Sequence, residues 1–140
     1  MDKIQEIWFD NDRIYMRTNT EKTFSRPLEA FPNLKDASMC DRQRFYIWGD
    51  GQYVRWKELD EDISIDLFKE TTEPNRDNEI ARIFQKCPWL QVSEVAKFMG
   101  MPKQVLDRFV YGIWQPKEDV LDMIKNSIKD MCSQQLLAVS

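Results

Sequence analysis

The spacing of apolar positions changes period partway along the chain, and the change divides it. Up to about Thr72, short apolar runs alternate with polar residues in the two-residue rhythm of half-buried strands. Residues 4–9, 13–18, 45–48 and 52–56 are each rich in β-branched or aromatic side chains and are separated by polar turns. Asp10, Asn11 and Asp12 between the first two runs read as a hairpin turn, as do Gly49, Asp50 and Gly51 between the last two, because these residue types tolerate positive φ. Between the hairpins, Leu28, Phe31, Leu34 and Ala37 recur every three residues, which predicts a short helix over residues 27–38. Pro32 fits only its first turn or a break in it.

Beyond the polar stretch 70–79, which reads as a linker around Pro74, the period lengthens. Apolar groups at Ile80, Ile83 and Phe84, at Val92, Val95, Ala96 and Met99, at Leu106, Phe109 and Val110, and at Val120, Leu121, Ile124 and Ile128 predict four or five short helices. Pro88, Gly100 with Pro102, and Gly112 with Pro116 mark their boundaries. The expected fold is therefore α+β over residues 1–72, a small antiparallel sheet with short helices, followed by an all-α unit over residues 73–140.

Charge follows the same division. Residues 1–72 carry 11 Lys and Arg against 15 Asp and Glu, while residues 73–140 carry nine of each. Charged residues interrupt every apolar run well before it reaches spanning length, so no membrane segment is expected and the cytoplasm is the expected location. Cys40, Cys87 and Cys132 are too far apart for a metal or redox pair and are expected to be buried thiols. Trp89 and Trp114 are likewise read as packing residues. The chain contains no His, which removes imidazole catalysis and His-ligated metals, and its four glycines form no phosphate-binding loop. These absences point to binding rather than catalysis, with no cofactor and no metal.

Residues 91–124 carry Ala96, Gly100, Met101, Leu106, Gly112, Pro116, Leu121 and Ile124 in a pattern that resembles the helix-turn-helix of the lambda-repressor-like family. Ala96 permits close helix approach, and Gly100 and Gly112 supply a left-handed turn and a helix stop. The resemblance implies a recognition helix over residues 102–111, with Lys103, Gln104, Asp107 and Arg108 as the outward-facing DNA-binding residues and Val105 outward as well. Val92 stands where such families commonly place Gln. The implied partner is double-stranded DNA, bound as a homodimer across two half-sites.

In the first half, Phe31, Pro32 and Leu34, two aromatic strands, and then Trp56, Leu59, Asp60, Glu61, Asp62 and Ile63 resemble the bacterial domain-of-unknown-function family 2442. That likeness implies a small α+β fold, sometimes fused to a helix-turn-helix. It also implies an arrangement like that of toxin–antitoxin pairs, in which members are encoded beside a small basic protein. Glu58, Asp60, Glu61 and Asp62 place four carboxylates in five residues. Three readings stand open for them: a helix N-terminus capped by Asp62 or Ser64, an acidic surface that binds a basic partner, or a Mg²⁺ site for a nuclease. The leading expectation is a DNA-binding transcriptional regulator with a partner-binding N-terminal module. An antitoxin-type protein that binds a small basic partner through those four residues is the alternative, and a carboxylate–metal nuclease comes third.

Overall fold

The structure, a computed structural model, describes residues 1–139. The chain divides into two compact units, one from Met1 to Pro74 and one from Asn75 onward.

The first unit is α+β, with two three-stranded antiparallel sheets. One consists of β1 (Ile4–Asp10), β2 (Arg13–Thr18) and β3 (Thr23–Pro27) in that order. The other consists of β4 (Tyr46–Trp48), β5 (Tyr53–Trp56) and β6 (Glu61–Ser64), also in sequence order. Asn11 and Asp12 turn the first hairpin with positive φ at both positions, the backbone hand that matches strand twist. The expected helix over residues 27–38 is instead a 3-10 turn at Leu28–Ala30 and a separate helix α1 (Pro32–Lys35). Pro32 has no N–H to continue a helical ladder, and it starts α1 instead. Two further short helices, α2 (Met39–Arg42) and α3 (Ile65–Phe68), complete the unit.

Trp56 is fully buried, and its rings meet those of Phe9 and Phe45. Its indole N–H donates to the Arg42 carbonyl at 2.8 Å. The Arg42 guanidinium in turn donates to the carbonyls of Leu34 and Lys35, satisfying the C-terminal end of α1. Cys40 lies on α2, which buries none of its residues, so this thiol is exposed rather than buried; Cys87 and Cys132 are half-buried.

Residues 70–73 are anchored rather than free. The Arg26 guanidinium is buried and donates from Nη1 to the carbonyls of Glu70 and Thr72 at 3.0 and 2.8 Å. Arg13 grips Glu73 through two parallel hydrogen bonds of 2.6 and 3.1 Å. This bond from Arg13 holds the Glu73 carboxyl below its usual range. A depressed carboxylate pKa stabilises the fold above the unfolded pKa, and that contribution disappears as pH falls through the folded value. Glu73→Gln should therefore flatten the acid limb of stability below about pH 4.5, with an effect at neutral pH under about 1 kcal/mol because the Glu73 side of the pair is exposed to solvent. Urea titrations of both proteins across that pH range check this.

Among the described residues, the second unit holds four helices, α4 (Glu79–Lys86), α5 (Val92–Met99), α6 (Lys103–Val110) and α7 (Glu118–Val139), the last running for 22 residues. Their core contains Ile80, Phe84, Val95, Leu106, Phe109 and Ile124. Among the described residues, no helix is long and apolar enough to cross a membrane. Asn78 caps α4 by accepting from the Ala81 amide at 2.9 Å. Gly112 has φ +75°, and a Cβ there would lie 2.1 Å from the Asn75 carbonyl oxygen. Gly112→Ala should consequently lower the stability of this unit by at least about 2 kcal/mol, read as lost amide-exchange protection at Leu106 and Val110.

Candidate functional site: the face of α6

Helix α5 ends at Gly100, whose φ of +71° is left-handed. A Cβ there would meet nothing within 4 Å, so the glycine serves the backbone conformation alone. Three residues later α6 begins, with Pro102 at its N-cap position. The closing bond runs from the Met101 amide to the Ala96 carbonyl at 2.9 Å. Two eight-residue helices are thereby joined through residues 100–102, and Ala96, Leu106, Phe109 and Val110 bury their inner sides.

The four α6 residues expected to face outward separate into two groups. Lys103 is exposed, and Gln104 and Arg108 are half-buried. Asp107 is buried, which corrects its placement on the outer surface; its Oδ2 accepts from Lys103 Nζ at 2.7 Å. The reason is helical register. Residues 103, 106, 107 and 110 fall on one stripe, and the stripe that buries Leu106 and Val110 carries Asp107 inward with them. Val105 is corrected as well, since it is half-buried and packs against the core.

Arg108 lies over the Trp114 ring, 4.5 Å from its centroid, and Trp114 meets Phe109 edge-on. Trp114 is 44% exposed and Trp89 is 61% exposed, so neither is the buried packing residue expected of it. The surface of α6 thus presents Lys103, Gln104 and Arg108, and the helix has no exposed carboxylate.

The four acidic residues of the first unit are not gathered into one site. They form a turn and a strand rather than a helix start. Ser64 precedes α3 without a side-chain cap bond, and Asp62 lies in β6, where it accepts from the Trp48 indole N–H at 3.1 Å. Asp60 sits at the end of the turn with φ +49° and receives a 3.2 Å bond from Arg55. Glu58 is exposed, but Glu61 is buried on the opposite face of β6 from Asp62 and is absent from any acidic surface. Among the described residues, no group of three or more acidic or Cys side chains converges as a metal site.

The architecture is that of a small α+β meander unit followed by a four-helix unit. Residues 4–70 match a family described as "Protein of unknown function (DUF2442)", a range that lies within the first unit and stops short of α4 to α7. No curated protein and no solved structure matches the chain.

The ion pair inside α6 gives Lys103 a structural role that its exposure conceals. Lys103→Ala should cost roughly 1–3 kcal/mol because it leaves the Asp107 carboxylate buried beside no ammonium group. Adding Asp107→Leu should recover most of that loss in urea denaturation, since replacing both partners removes the unmet polar group.

Proposed function

We propose that the second unit binds duplex DNA with the outer face of α6, as the helix-turn-helix resemblance implies, and that the protein acts as a transcriptional regulator. The observation that carries this reading is the composition of that face. Gln104 and Arg108 line it and Lys103 is exposed at the start of the helix, while the helix's sole carboxylate, Asp107, is turned inward. An ammonium and a guanidinium suit phosphate or guanine, and a carboxamide suits adenine. Lys97, near the C-terminal end of α5, adds an exposed cation beside the turn. The pairing of α5 with α6 through a left-handed Gly100 supports a helix held at its base by α5.

Binding is tested by gel shift on a duplex taken from upstream of the protein's own coding sequence, at low and moderate salt. Arg108→Ala should weaken the complex by about 1–3 kcal/mol if it reads a base, whereas Arg44→Ala in the first unit should leave it unchanged. Lys103 is tested as Lys103→Gln with Asp107→Asn, which removes the cation without stranding its partner. Retention that falls steeply with salt and requires Arg108 supports the reading. Absence of any shift, or retention indifferent to Arg108, overturns it.

A further inference from the structure

Beside the α6 face, the second unit contains an open cavity of about 220 Å³ to which no role has yet been given. Its apolar lining includes Phe109, Trp114, Pro116 and Leu121. Among the described residues, its charged lining is Asp77 and Glu79, with no Lys or Arg. Gly112 also borders it, at the C-terminal end of α6, where the helix dipole is negative. An aromatic wall, two carboxylates and a negative helix end favour one class of occupant. The geometry points to a binding site for a small planar aromatic molecule that carries an ammonium or amidinium group.

Three features support that assignment. The Asn75 amide donates to the Tyr111 carbonyl, and the Asn78 carboxamide donates to the carbonyls of Asn75 and Val110, so the wall is built before anything enters. Trp114 carries Arg108 over one face of its ring and also lines the cavity, where the indole offers a ligand an aromatic surface. Glu79 is held below the usual carboxylate range by Lys125 and so is charged at neutral pH.

The carboxylates are engaged only at the surface. Asp77 meets Arg82 through Oδ1 at 2.8 Å, and Glu79 meets Lys125 through Oε1 at 2.7 Å. Both pairs are solvent-exposed, and such pairs contribute little, so a ligand cation exchanges with them at small cost.

The test is a titration of the full-length ¹⁵N-labelled protein with tryptamine, and with indole-3-acetate as the anion of similar shape. It contains no DNA, so its outcome is independent of duplex binding. Tryptamine should give saturable shifts at the Trp114 indole N–H and the Gln115 and Asn75 side-chain amides, and indole-3-acetate should bind more weakly. The double variant Asp77→Asn, Glu79→Gln, whose spectrum reports whether it remains folded, should lose roughly threefold to tenfold in tryptamine affinity. Trp114→Leu provides a second variant outside the charged pair and should also weaken binding. The proposal fails if tryptamine produces no saturable shift at these groups, if indole-3-acetate binds as tightly, or if the charge-removed variant binds tryptamine unchanged.

Discussion

The carbonyl oxygen of Asn75 occupies the space that any side chain on residue 112 would need. That single close approach holds the start of the second unit against the end of α6. It also disposes of the carbonyls that a helix end leaves without partners, since the Asn75 amide takes Tyr111 and the Asn78 carboxamide takes Val110. Asn78 serves α4 at the same time, by accepting from Ala81. One short polar segment therefore ends one helix and begins another. The chain leaving Gly112 then places Trp114 under Arg108 and beside the cavity. Arginine position, cavity wall and helix boundary all follow from a residue with no side chain.

Two buried ionic groups show how differently the units treat charge. Arg26 is buried with backbone carbonyls as partners, and among the described residues its Nε meets no acceptor. Burial lowers its pKa, but an arginine starts so far above neutrality that it remains a cation. It binds two carbonyls of a segment that has no regular secondary structure, so its cost is offset by ordering the chain's exit from the first unit. Asp107 has an exposed ammonium, that of Lys103, as its partner instead. Its carboxylate is satisfied from the surface inward, which lets a charged residue occupy a core stripe without a second buried charge.

Legibility in the sequence followed the chemistry of each element. The first two strands and the C-terminal helices were readable because apolar residues repeat at their structural periods, and the turns because Asn, Asp and Gly mark them. β3 was missed because its sequence is TFSRP, and its buried end is Arg26 and Pro27 rather than an aliphatic residue. β6 was missed because Glu61 is its first inward residue. Asp107 failed for the same reason: a charged residue was assigned to the surface by type, although its spacing from Leu106 and Val110 put it on the buried stripe. Spacing carried the correct answer there, and residue type overrode it. The cavity had no such signal, since its lining joins residues 75–80 to residues 109–121 only after folding.

How a surface meets a duplex depends less on the net charge of its unit than on where the charges lie. Glu73, counted with the second half by sequence, lies in the first unit and is bound to Arg13. From Asn75 onward the chain carries nine Lys and Arg against eight Asp and Glu, close to neutral. Charges on an exposed surface act over about 8–10 Å at physiological salt, so a helix laid against a duplex responds to its own face before it responds to the rest of the unit. On α6 that face has Arg108 and the Gln104 carboxamide, with Lys103 exposed at the helix start, and the acid on the same helix is covered and paired with Lys103. Several remaining acids lie at the start of α7 and along its length, at Glu118, Asp119, Asp122 and Asp130. Sorting charge by surface rather than by sum leaves Arg108, stacked on Trp114, and Lys103, paired with Asp107, as the basic groups that α6 presents.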